Sequence, residues 1–204
     1  MKEIKAHDFP SVYKDLNIDL SKLGCVMLDV DPIYNNTDVD DEEYSRFYYV
    51  EPKYLYYAKN KDKFWINGWV AEETPHMTLL YGLMKEAEEY KDQIRELLKD
   101  WNCKSVQIED IDSFDSPYED EEYYCIVAKL KLTDNIIEGH NRMQLLPHID
   151  TYSEYKPHVT ICYIQKNDKL RDEIIKDLKE TLVGRRLYIT NINLGGNKNE
   201  KRTT

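Results

Sequence analysis

The sequence predicts an α/β fold, of the α+β kind, built as a pseudo-symmetric pair of lobes facing each other across a cleft. Three observations carry this expectation. First, a short string repeats: Pro75-His76-Met77-Thr78-Leu79-Leu80-Tyr81 matches Pro157-His158-Val159-Thr160-Ile161-Cys162-Tyr163. Second, each copy reads as a strand and is followed by a stretch with the apolar spacing of an amphipathic helix. Third, the 204 residues suit one domain, or one domain of two similar lobes, and a 41% apolar share is enough for a core.

The elements follow in chain order. Residues 23–30 form a mostly apolar run between Ser-Lys and Asp-Pro, which reads as a buried strand. Residues 31–44 are acidic, with Pro32 and an Asn-Asn pair, and read as a loop. Residues 44–69 are thick with aromatics and read as strand and turn. Residues 76–83 are a strand, and 85–101 a helix with Tyr90, Ile94, Leu97, Leu98 and Trp101 on one face. Strands are expected over 105–111 and 123–132, joined by an acidic turn. In the second of these, Ile126, Ala128, Leu130 and Leu132 alternate with Val127, Lys129 and Lys131. Residues 134–146 read as a helix stopped by Pro147, 158–164 as a strand, and 168–182 as a helix with Asp168 as N-cap. A last strand covers 187–194. The domain is therefore drawn over residues 1–194, with 195–204 a polar, disordered tail.

Composition removes several functions. The formal net charge is −11, and so acidic a chain is a poor grip for long DNA or RNA, whose backbones are held by Lys and Arg. The first ten residues lack the apolar core of a signal peptide, and no window has the roughly eighteen apolar residues of a membrane helix. Cys25, Cys103, Cys125 and Cys162 are far apart and form no C-x-x-C pair, which reads as free thiols in a reducing cytoplasm. The expected location is cytoplasmic. No cluster has metal-ligand spacing and no Gly-rich phosphate loop is present, so neither a metal nor another cofactor is expected.

The repeated string carries the chemistry. Side chains two residues apart on a strand share a face. His76 and Thr78 therefore point one way and Met77 the other; His158 and Thr160 do the same, with Val159 behind. Two such strands across a cleft make a site of two imidazoles and two hydroxyls. Phosphodiester cleavage needs a proton removed from the attacking hydroxyl or water and another delivered to the leaving oxygen. Histidine, with an unperturbed pKa of about 6.5, does either near neutral pH. The threonine hydroxyls can donate to the non-bridging oxygens as charge develops. Pro147-His148-Ile149-Asp150 has Pro-His without the threonine and is given no such role.

At these residues the chain resembles the two-histidine (2H) phosphoesterase superfamily, over about residues 23–194. The resemblance implies a bilobal fold with antiparallel sheets lining a central cleft and flanking helices. It places catalysis on His76, Thr78, His158 and Thr160. Within the superfamily, the strings PHMTLLYGL and KPHVTICYI are most similar to the phage anti-CBASS nucleases, whose substrates are cyclic oligonucleotide signals made by infected bacteria. That implies a cyclic di- or trinucleotide substrate, phage counter-defence, and the host cytoplasm as location. An RNA 2′,3′-cyclic phosphodiesterase of RNA-end processing, and a module that binds cyclic nucleotides without turnover, are the alternatives. Paired proton-transfer groups speak against the module, because binding alone does not require them. The acidic, Tyr-rich stretch over 31–70 departs from a minimal member and leaves the substrate open.

Outside the motif, Trp65 and Trp69 are candidates to stack a nucleobase, with core packing as the other reading. Strict alternation puts Tyr81 and Tyr163 on the face opposite His76 and His158, which makes them packing residues. Arg185 and Arg186 are candidates to reach a phosphate, with solvated charge at a strand entry after Gly184 as the other reading. His140 and His7 read as structural or surface residues.

Overall fold

The computed structural model describes residues 23–32, 69–71, 75–115, 123–150 and 154–195. Among these, β1 spans Gly24–Pro32, β2 Trp69–Ala71, β3 His76–Leu83, β4 Ser105–Asp115, β5 Tyr123–Leu130, β6 His158–Gln165 and β7 Arg186–Gly195. Helix α1 is Lys91–Leu98, led by a 3-10 turn over Ala87–Tyr90; α2 is Asp134–Met143 and α3 Asp168–Leu182. The tail is expected from 195, but Gly195 ends β7; residues 196–204, most of the 31–70 segment and residues 116–122 of the expected turn lie outside the described residues.

The strands make one sheet in the order β2-β6-β3-β1-β7-β4-β5, and β5 also pairs with β6. Six strands thus form a closed circuit. Its logic is a repeat: β1–β3–α1–β4 corresponds to β5–α2–β6–α3–β7. Within each unit the first strand pairs antiparallel with the motif strand, β1 with β3 and β5 with β6. The third strand of each unit crosses over and pairs with the first strand of the other, β4 with β5 and β7 with β1. This exchange makes the two halves one folding unit, because neither can complete its sheet alone. The circuit closes at β4–β7 and at a single pair between the motif strands, Met77 with Val159.

Aliphatic side chains on one face of this sheet join the helices in one core. Val26, Leu28, Met77 and Leu79 in the first half, and Ile126, Ala128, Val159 and Ile161 in the second, are all completely buried. They pack with Ile94 of α1, Ile136 and Met143 of α2, and Ile174 and Leu178 of α3. The opposite face carries the polar members of the motif.

Three expectations are corrected. The helix expected from 85 starts only at Lys91. Gly24 presses on the chain at Lys85–Ala87 so closely that a Cβ there would lie 2.4 Å from the Lys85 carbonyl oxygen, and the chain turns tightly before the helix begins. The cap of α3 is Asn167, whose Oδ1 accepts from the Leu170 N–H at 3.0 Å; Asp168 is the first helical residue, where its charge suits the helix dipole. The strand expected through 132 ends at Leu130, because Thr133 caps α2 through the Ile136 N–H and Leu132 is left exposed.

Candidate active site

Alternation holds at the motif itself. Met77 and Val159 are buried, and the flanking His76, Thr78, His158 and Thr160 are half-buried on the other face. Because Met77 is level with Val159 in antiparallel strands, His76 comes level with Thr160 and Thr78 with His158. The four side chains expected to act together therefore meet on one face, around the one point where β3 touches β6.

Alternation fails just beyond. In β3 the register against β1 slips between Met27–Thr78 and Val26–Leu80, which marks Leu79 as a bulged residue. In β6 it slips against β5 between Val127–Thr160 and Ile126–Cys162, so Ile161 is bulged at the equivalent place. Each bulge inserts one residue and returns the tyrosine to the motif face. Tyr81 pairs with Cys25 and Tyr163 with Cys125, half-buried neighbours of the histidine and threonine. The expectation that these tyrosines lie on the opposite face is thus wrong. The apolar doublets Leu79-Leu80 and Ile161-Cys162, which break period two in both copies, were the available signal.

His158 is fixed in one tautomer. Its Nδ1–H donates to the Lys156 carbonyl at 2.8 Å, which leaves Nε2 with a lone pair. His148 makes the same bond to the Leu146 carbonyl, also at 2.8 Å. In both, a proline separates the histidine from the acceptor. Proline fixes its own φ and holds the preceding residue extended, which presents that carbonyl to the ring two residues on. The Phe114 ring packs perpendicular to the His158 imidazole, with ring centres 5.0 Å apart. Burial lowers the His158 pKa below its usual 6.5. The Lys156 bond works the other way, and the charge of a protonated His76 lowers it further. Thr160 Oγ1 lies 3.6 Å from Cys125 Sγ.

Other polar groups share the face. Lys129 is the register partner of His158 and reaches Asp112 at 3.4 Å. Asp29 is the register partner of His76, and its carboxylate accepts from the Asn191 and Asn193 side-chain amides at 3.3 and 3.1 Å. Lys129, Asp29, Asn191 and Asn193 were not legible as site residues, since only pairing across the sheet puts them there. Trp69 lies in β2, paired with Ile164 of β6; Trp65 lies outside the described residues. Arg185 and Arg186 are exposed, and Arg186 donates to Ser105 Oγ at 3.2 Å. Among the described residues no three His, Cys, Asp or Glu side chains gather as metal ligands, and no helix is long and apolar enough to cross a membrane.

The family model of the 2′-5′ RNA ligase superfamily matches residues 58–199, a span that contains both motifs. The fold is similar to that of Usb1 from Kluyveromyces marxianus, with a TM-score of 0.51 at 11% identity over 86% of this chain and 95% of that one. The same protein with uridine monophosphate aligns at a TM-score of 0.47 and 12% identity, covering 79% of this chain and 84% of that one. No curated protein matches the sequence. The family match over most of the chain, with both His-x-Thr strands joined at one face, means that this protein belongs to the 2′-5′ RNA ligase superfamily of two-histidine phosphoesterases.

Proposed function

We propose that this protein is a metal-independent phosphodiesterase that cleaves a small cyclic di- or trinucleotide, His158 being the general base and His76 the general acid. The observation that carries the reading is the Met77–Val159 pair, which levels each histidine with the threonine of the other strand. A phosphate seated there has an imidazole on each side and a hydroxyl beside each imidazole. The neutral His158, its Nδ1 committed to Lys156, takes the proton of the attacking hydroxyl or water at Nε2. Protonated His76 supplies a proton to the leaving oxygen. Thr78 and Thr160 donate to the non-bridging oxygens, and Lys129 adds positive charge beside His158.

The substrate class rests on three supports. A chain of net charge −11 repels a polymer with many phosphates more than a ligand with two or three. Tyr81, Tyr163 and Phe114 lie on the motif face and offer ring surfaces on which bases stack with little sequence preference. The motif strings are similar to those of the anti-CBASS nucleases, whose place is phage counter-defence in the host cytoplasm. The test compares initial rates on 3′,3′-cyclic dinucleotides and cyclic trinucleotides with the rate on an RNA oligomer ending in a 2′,3′-cyclic phosphate. The cyclic oligonucleotides are expected to turn over faster. The opposite order would assign the protein to RNA-end processing.

A further inference from the structure

The two motif strands have different support on the edge away from their long partners. Val30 N–H donates to the Pro75 carbonyl at 3.0 Å, so by alternation Met77, two residues on, also bonds to β1 and the Thr78 carbonyl points to the other side; at the bulge the Leu79 carbonyl is met from that side too. Past Met77 no named strand among the described residues covers that side of β3 until its far end, where Ile149 N–H donates to the Gly82 carbonyl at 2.9 Å and Met84 N–H to the Pro147 carbonyl at 3.1 Å. In between, at Thr78 and Leu79, two side chains do. Tyr155 Oη donates to the Thr78 carbonyl at 3.1 Å, and His140 Nδ1 lies 2.7 Å from the Leu79 carbonyl. The two rings are stacked, with centres 3.9 Å apart and planes within 3° of parallel. Burial pushes the Tyr155 pKa far above its ordinary value, so the hydroxyl stays a donor at any working pH.

Tyr155 also sits in the segment that enters the second motif. Next in the chain, the Lys156 carbonyl accepts from His158 Nδ1–H. The Pro157 carbonyl accepts from Leu130 N–H at 3.0 Å, which ties the segment to β5. Residues 155–157 therefore hold Thr78 through one residue and His158 through the next.

We propose that Tyr155, stacked on His140, is a positioning residue that sets the placement of Thr78 relative to His158. It touches neither proton in flight and acts through the backbone of one motif and the ring orientation of the other. The proposal rests on the phosphodiesterase reading for its kinetic consequence but not for its structural one. Near-attack geometry is sensitive to displacements of about an ångström, so a lost hydroxyl here acts on the rate rather than on binding.

Tyr155→Phe removes the hydroxyl and keeps the stacked ring. We expect kcat to fall about tenfold with KM within about twofold of wild type. In a Thr78→Ala background the same change should cost less than about threefold, because the group being positioned is already gone. In ¹⁵N spectra of labelled histidine, the His158 ring signals should move away from the single Nδ1–H tautomer. Unchanged kcat, or an equal loss in both backgrounds, overturns the proposal. If Tyr155→Phe fails to fold, His140→Phe preserves the ring pair, removes the bond to Leu79 and carries the same expectations. Should wild-type protein hydrolyse no diester at all, the functional reading falls and the spectra alone decide: unaltered His158 signals then overturn the positioning role.

Discussion

β3 and β6 carry the same string, the same bulge and the same half-buried histidine, threonine and tyrosine, yet they are held differently. β6 lies between ladders: β5 pairs along one edge from His158 to Gln165, and β2 pairs on the other edge from Cys162 to Ile164. β3 has β1 on one edge; on the other, the residues next to the motif, Thr78 and Leu79, are held by the Tyr155–His140 pair, and backbone bonds return only at the bridge of Leu83 with His148. The contrast teaches that pseudo-symmetry of sequence fixes what each strand presents, not how firmly it is presented. A backbone ladder shares its load over many bonds. A two-residue brace concentrates it, so one substitution reaches the site.

The largest test of this comparison concerns what the halves share. His76→Ala and His158→Ala should each lower kcat by about 10²-fold or more, the usual scale for a general acid or base, with circular dichroism unchanged. Near-native turnover in either variant would end the paired acid–base reading. The threonines come next. Thr78→Ala and Thr160→Ala should each cost about tenfold, less than a histidine, because a donor is lost and no proton carrier; initial rates at saturation would show losses as large as the histidines' if the threonines do more.

The histidines are expected to differ in pH dependence. Burial and the charge of His76 hold the His158 pKa below 6.5, so this base stays unprotonated, and active, to lower pH than an ordinary histidine. The acid limb of kcat/KM should therefore lie below about 6.5 and the alkaline limb should report the general acid; both limbs belong to the coupled pair. Phe114→Ala opens the site to water and should move the acid limb upward. A profile climbing steadily to pH 10 would replace the base with hydroxide.

Smaller effects probe the bulges. Tyr81→Ala and Tyr163→Ala should raise KM several-fold, about the loss of part of one stacking contact each, with kcat nearly kept. If KM is untouched, the rings serve packing after all. Excess EDTA should change nothing. Loss of turnover that Mg²⁺, Mn²⁺ or Zn²⁺ restores would overturn the mechanism.

Much of the fold follows from local pattern. The repeated Pro-His-x-Thr string places both strands, and period two separates Met77 and Val159 from the histidines and threonines, because residue alternation on a strand is a property of the backbone. The helix over 168–182 is legible in its apolar face for the same reason, since a 3.6-residue period needs no partner to be read. Local pattern is also why Tyr81 and Tyr163 are misread: alternation counts residues, and a bulge adds one that only the neighbouring strand reveals. Lys129 and Asp29 enter the site through register, Tyr155 and His140 through contacts 77 and 61 residues away in sequence. The exchange of β4 and β7 between the halves is likewise absent from any window of sequence. By itself the sequence determined which side chains each motif strand presents up to its bulge. The tertiary structure decided which of them meet, because hydrogen-bond register and packing between distant segments are set by the whole chain at once.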